Sequence, residues 1–225
     1  MIVGFSIVQG VLFFGVQATS GNTNYFMSYS VVVLCCLFCF LYFEKSKDYA
    51  FTQVALIFTT MADLFLVVIH PIKQLPAMIF FTGTQICYFL RIYYNGKSKK
   101  EKSLHLILRA STSILGIVIS IIVLGKKTDA VSLISIFYYA NLIVNIVFAF
   151  VQYKKSPLLA IGLLLFLCCD TLVGLDALLS YYITTPNGHQ IRNAIFGSLN
   201  WAWIFYVPSQ ALIALSLSKF RKTVN

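Results

Sequence analysis

Charge is scarce in this chain, and negative charge is scarcer still. Only 11% of its 225 residues are charged, and Asp and Glu together number 7. A soluble domain carries about 25% charged residues. With 59% hydrophobic residues, a water-soluble fold would leave much apolar surface wet. In a bilayer that surface is solvated by lipid, so the composition points to a membrane protein. The first apolar run, residues 2–18, has no Lys or Arg before it. A secretory signal needs a basic leading segment, so this run is expected to be retained as a first helix. No stretch has the composition of a soluble domain, a linker or a low-complexity region, so residues 1–225 read as a single transmembrane domain. The six cysteines, Cys35, Cys36, Cys39, Cys87, Cys168 and Cys169, all lie inside apolar runs, which implies packing and no disulfide framework. Cys36 and Cys39 have the spacing of a metal or redox pair but lack a second pair of ligands. There is no His-x-x-x-His, which argues against an intramembrane zinc hydrolase. No metal and no organic cofactor is expected.

What the chain has in plenty is apolar runs of bilayer length, roughly 20 residues each. They fall at about 2–18, 25–43, 50–69, 74–94, 104–124, 131–151, 157–182 and 193–218. The expectation is an all-α, polytopic bundle of about eight transmembrane helices. Turn-forming or charged groups separate the runs: Gly21-Asn22, Glu44 to Asp48, Pro71, Asn95-Gly96, Gly125 to Lys127, Lys154 to Pro157 and Pro186 to Gly188. Pro157 suits the first turn of a helix, and Pro208 is expected to kink the last one.

The net charge of +10 comes from 17 basic residues. In a soluble protein that excess suggests nucleic acid. Here the basic residues cluster in alternate gaps between apolar runs. One side holds 13: Lys45, Lys47, Arg91, Lys97, Lys99, Lys100, Lys102, Arg109, Lys154, Lys155, Lys219, Arg221 and Lys222. The other holds 4: Lys73, Lys126, Lys127 and Arg192. Positive charge marks the cytoplasmic side, so both termini are expected there, and no nucleic-acid partner is implied. The Lys-rich strip at 95–103 sets topology or touches anionic headgroups. The expected location is the plasma membrane of a bacterium.

Three of the seven acidic residues sit inside the expected spans: Asp63, Asp170 and Asp176. An ionisable side chain there is costly and marks a functional site by default. Asp176 is close enough to a span end to reach the interface. Asp63 and Asp170 are each about 13 residues, or about 20 Å, into outward-running helices and share one depth. Polar side chains at helical spacing accompany them. The sixth span carries Tyr138, Asn141, Asn145 and Gln152, the eighth Asn200, Trp203, Tyr206 and Gln210, and the fourth Thr82, Gln85 and Tyr88. Any one of them reads as an interhelical hydrogen bond. Together with two carboxyls at one depth, they predict a polar cavity. His70, His105 and His189 lie at span ends and read as interfacial.

Three segments resemble the YhhN-like membrane proteins, the lysoplasmalogenase family. Ala62-Asp63-Leu64-Phe65-Leu66 resembles a Gly-Asp-x-x-Leu segment, with Ala62 in place of Gly. Cys169-Asp170-Thr171-Leu172 resembles a Ser-Asp segment, with Cys169 in place of Ser. The run from Tyr206 through Gln210 to Ser216 resembles the closing Tyr-x-x-x-Gln-x-Leu-Ile-x-x-Ser helix. Gln85, before Cys87 and Tyr88, stands where the family often has His. The likeness implies hydrolysis of the vinyl ether bond of a lysoplasmalogen, a lysophospholipid, to a fatty aldehyde and a glycerophospho-base. That chemistry needs an acid to protonate the β-carbon and a second group to stabilise the oxocarbenium ion and orient water. Two carboxyls out of water can share one proton and divide these roles, as in glycoside hydrolysis. Asp63 and Asp170 are the expected pair, with either as the acid. Tyr206 and Gln210 are expected to position substrate or water. A proton-coupled transporter or lipid flippase using the same two aspartates is the alternative.

Overall fold

The computed structural model describes residues 1–41, 47–96, 98–182, 186–196 and 201–217. Among these there is no strand. The helices are α1 (Ile2–Ala18), α2 (Gly21–Leu41), α3 (Lys47–Asp63), α4 (Gln74–Asn95), α5 (Lys99–Leu124), α6 (Ala130–Val151), α7 (Pro157–Ala177), α8 (Pro186–Phe196) and α9 (Trp201–Leu215). The wider π-helical turns Leu64–Val68 and Leu178–Tyr182 extend α3 and α7.

Local chemistry sets several boundaries. The side chain of Ser98 accepts the Glu101 N–H at 3.1 Å and starts α5. Asp129 accepts the Ser132 N–H at 2.8 Å while Ser132 Oγ accepts the Asp129 N–H at 3.0 Å, a reciprocal capping box that starts α6. Pro157 occupies the first turn of α7. The connections before α2 and after α5 turn at Gly21 and Gly125, whose φ of 62° and 52° a side chain would resist.

Among the described residues, six helical stretches are long and apolar enough to cross a membrane: Gly21–Leu41, Lys47–Val68, Gln74–Asn95, Lys99–Lys127, Ala130–Val151 and Pro157–Ser180. They match six of the eight expected runs. α1 and α9 are apolar but shorter, at 17 and 15 residues. Several boundaries differ from expectation: Gly21-Asn22 and Lys47-Asp48, expected in breaks, begin α2 and α3, and α5 starts five residues before its expected run. Pro186 to Gly188, expected as a break, begin α8. The expected eighth span is divided between the end of α8 and α9, with residues 197–200 and 218–225 outside the described set. The helical assignment of α9 runs through Pro208.

Packing centres on α9, which lies against α7, α2 and α1, while α3 packs on α4, and α4, α5 and α7 pack on α6. The α7–α9 contact is close because position 162 has no side chain. A Cβ there would lie 2.8 Å from Ile213 Cγ1 and 3.1 Å from the Ser209 carbonyl, the small-residue approach that brings membrane helices together. Apolar side chains also face outward. On α5, Ile114, Leu115, Ile122 and Val123 are all exposed. In water such a face would need a partner; in a bilayer, lipid covers it. Interior polar groups bond to backbone: Gln9 donates to the Val31 carbonyl at 3.1 Å and Gln53 to the Cys39 carbonyl at 3.0 Å. Thr59 and Thr84 join α3 to α4 at 3.2 Å.

Candidate active site

A cavity of about 970 Å³ lies between α3, α4, α5, α6, α7 and α9. Asp63 and Asp170 both line it, and each carboxyl is held by a phenol. Tyr206 of α9 donates to Asp63 Oδ2, and Tyr138 of α6 donates to Asp170 Oδ2. Each bond engages one carboxyl oxygen and leaves the second for a ligand. Asp63 is 4% exposed, and the two carboxyls are within electrostatic reach of each other. Asp63 is the last residue of α3, where the helix widens into its π-turn. Such turns recur at functional sites.

The phenols are held by a line of aromatic rings. Phe81 packs against Tyr138 at 5.7 Å and against Phe166 at 6.1 Å. Phe166 packs against Tyr206 at 5.8 Å, and Trp203 meets Tyr206 edge-on at 5.2 Å. Both carboxyl–phenol pairs therefore rest on one packed floor spanning α4, α6, α7 and α9. Apolar side chains such as Leu66, Met78, Ile119, Val123, Ile136 and Val173 make up much of the wall.

Of the predicted site residues, Asp63, Asp170, Tyr138, Tyr206 and Trp203 meet in this cavity. The others do not. Asn141, Asn145 and Gln85 form a separate network around Arg109. The Arg109 guanidinium donates to the Oδ1 atoms of Asn141 and Asn145, meets His105 Nε2 at 3.3 Å and lies 4.3 Å over the Phe89 ring. Asn145 in turn donates to Gln85 Oε1 at 2.9 Å. Tyr88 and Gln210 are fully buried but do not line the cavity, and neither the Tyr88 hydroxyl nor the Gln210 amide has a protein partner among the described residues. Gln152 donates to the Ile92 carbonyl and to Glu101, and Thr82 bonds back to Met78 on its own helix. Asn200 lies outside the described residues. Asp176 is apart from the cavity, paired with Arg192 at 2.8 Å.

His105, the seventh residue of α5, is buried, with its ring stacked on that of Phe148 at 4.0 Å. His70 is exposed, with its ring 4.9 Å from that of Tyr25. The His189 side chain lies outside the described set. Sequence reasoning treated Arg91 and Arg109 only as boundary charges. Arg91 is 2% exposed and donates to Thr52 and Ser216 at 2.9 Å and to Ser156 at 3.4 Å. Both arginines fell inside expected spans, so the rule that singled out the aspartates would have found them. Among the described residues, no three His, Cys, Asp or Glu side chains group as ligands for a metal ion.

The YhhN family model matches residues 24–217. The chain belongs to the YhhN family. No curated protein and no solved structure is matched. All three segments that resemble YhhN-like proteins meet in the bundle. Asp63, Asp170 and Tyr206 reach the cavity, while Ser216, at the end of the closing segment, accepts from Arg91. In this YhhN-family chain Ala62 and Cys169, the replacements beside the two aspartates, are both buried.

Proposed function

We propose that this chain is a membrane hydrolase that cleaves the vinyl ether bond of lysoplasmalogens. The observation that carries the reading is the pair of phenol-held carboxyls, Asp63–Tyr206 and Asp170–Tyr138, in one cavity with largely apolar walls. One carboxyl, protonated, gives its proton to the β-carbon of the vinyl ether. The double bond becomes a single bond, and the cation spreads over the α-carbon and the ether oxygen. The second carboxyl, ionised, stabilises that cation and takes a proton from the water that attacks the α-carbon. The resulting hemiacetal collapses to a fatty aldehyde and the glycerophospho-base, and the net reaction consumes one water. In this reading α1, the six long helices and α9 cross the bilayer, eight crossings in all, with both termini cytoplasmic.

The test is aldehyde release from a lysoplasmalogen by the purified chain. Asp63→Asn and Asp170→Asn should each lower turnover at least 10²–10⁴-fold, the usual worth of general-acid help. Both proteins should stay folded, because Asn has nearly the same shape as Asp. Asp176→Asn should stay within a fewfold of the parent. Near-normal release by either of the first two variants refutes the mechanism. No aldehyde from the parent, together with Asp-dependent, proton-linked lipid movement in vesicles, replaces it with transport.

A further inference from the structure

Three side chains inside the bundle lack the partners that their burial demands. Gln9 of α1, Tyr88 of α4 and Gln210 of α9 are 4%, 0% and 0% exposed. Among the described residues, Gln9 Oε1, the Tyr88 hydroxyl and both ends of the Gln210 amide have no hydrogen-bond partner. A buried polar atom left unpaired is costly, and the great majority of such atoms are bonded to protein or to ordered water. Lipid around the bundle offers no hydrogen bonds to make up the loss.

Helix α2 brings these groups to one level. α3 runs against α2, since Gln53 meets the Cys39 carbonyl while Asp63 is within electrostatic reach of Tyr29. It runs against α9 as well, since Tyr49 donates to the Leu217 carbonyl and Tyr206 to Asp63. α2 and α9 therefore run the same way. Cys39 Sγ meets the Ala214 carbonyl at 3.9 Å. One turn back along both helices, on the same faces, stand Cys35 and Gln210. Gln9 reaches that level, because its Nε2 contacts Cys35 Sγ at 3.4 Å. Tyr88 reaches it too, within electrostatic reach of both Cys35 and Cys39. The unpaired atoms thus gather around Cys35.

Their chemistry selects the occupant. The Gln210 amide offers donors at one end and an acceptor at the other, Gln9 offers an acceptor, and the Tyr88 hydroxyl can do either. An ion would satisfy one end of the Gln210 amide and repel the other. Water donates and accepts, and when buried it makes about three hydrogen bonds. Gln210 is also one turn from Tyr206 on the same face of α9. The Tyr206 hydroxyl gives its hydrogen to Asp63, which leaves its oxygen to accept.

We propose that Gln9, Tyr88 and Gln210 hold a cluster of internal water molecules that donates to the Tyr206 hydroxyl and so supports Asp63 from behind the cavity. Gln210 is then a positioning residue for the Asp63 carboxyl and not a substrate contact, whether the cavity cleaves lipid or moves it. The test uses the full chain in nanodiscs. X-ray radiolysis turns bound water into hydroxyl radicals that oxidise the side chains touching it, and mass spectrometry reads the sites. Tyr88 and Cys35 should be oxidised although both are fully buried, while the buried Phe148 stays unmodified. Gln210→Met removes both polar ends and should lower Tyr88 oxidation severalfold. In the infrared, the Asp63 carboxyl stretch, assigned by its loss in Asp63→Asn, should shift in Gln210→Met and stay in place in Gly10→Ala. Tyr88 and Cys35 as unreactive as Phe148 in the parent overturn the water site, whatever the variant does. A Gln210→Met protein with a higher Tm than the parent overturns it too, because the amide would then have been dry. Oxidation of Tyr88 and Cys35 with an unshifted Asp63 band overturns the link through Tyr206.

Discussion

At the scale of single residues, the two carboxyl–phenol pairs look alike, yet their chemical tasks differ. A hydrogen bond donated to a charged carboxylate is worth about 1.5–3 kcal/mol, one to a neutral acceptor about 0.5–1.5 kcal/mol. Replacing the phenol that supports the ionised partner should therefore cost more turnover. Tyr206→Phe and Tyr138→Phe are expected to have unequal effects, about 10–100-fold at one site and less than about tenfold at the other. The larger loss identifies the ionised carboxyl, and the kcat for aldehyde release reads it directly. Equal losses would mean that the pair does not divide acid from base. The aspartates were legible in the sequence because an acid inside an apolar run is costly to keep there without a task. The Asn141–Asn145 stripe was legible as a face but not as a destination. Helical periodicity shows which side chains point together, not which neighbour they meet. Tyr138 opens onto the cavity, while one turn further Asn141 meets Arg109 of α5. Arg91 and Arg109 were missed for a different reason: they were counted as boundary charges, although both fall inside expected runs, where the cost that marks the aspartates applies equally.

At the scale of helices, the apolar runs located most elements and missed their ends. α5 starts at Lys99 because Ser98 caps a Lys-rich first turn, which a hydropathy reading excludes from the span. The α7–α9 contact was not legible at all, since a lone glycine in an apolar run carries no partner information. Its importance is testable. Gly162→Ala puts a methyl group 2.8 Å from Ile213 Cγ1 and 3.1 Å from the Ser209 backbone. Ile213 can shift, but the carbonyl is held by its helix, so a cost of about 1–3 kcal/mol is expected. For a chain of this size that lowers Tm by about 2–12 °C. Gly10 is the control, because a Cβ there meets nothing within 4 Å. Gly10→Ala should leave Tm unchanged or raise it, since Ala favours helix over Gly. Thermal unfolding in detergent checks both. A Gly162→Ala protein as stable as the parent would mean that α7 and α9 approach less closely than described.

At the scale of the whole molecule, the organising asymmetry is charge along the bundle axis. Setting aside Arg91 and Arg109, which the interior networks occupy, the two sides carry 11 and 4 basic residues. That bias favours a single orientation, with the Lys-rich start of α5 cytoplasmic and the turn between α5 and α6 outside. In that orientation the turn between α5 and α6, whose Lys127 lines the cavity, would face outward. Single cysteines at Lys100 and Lys126 test this in a background with all six native cysteines replaced. Each position is exposed, and each substitution removes one positive charge from its own side, so the bias is preserved. In intact cells an impermeant maleimide should label the Lys126→Cys protein and leave Lys100→Cys unlabelled until the membrane is opened. Labelling of Lys100→Cys alone would invert the orientation and bring the turn between α5 and α6 to the cytoplasm. Labelling of both positions in intact cells would mean that α5 does not cross the bilayer, and the eight-crossing arrangement would fall with it.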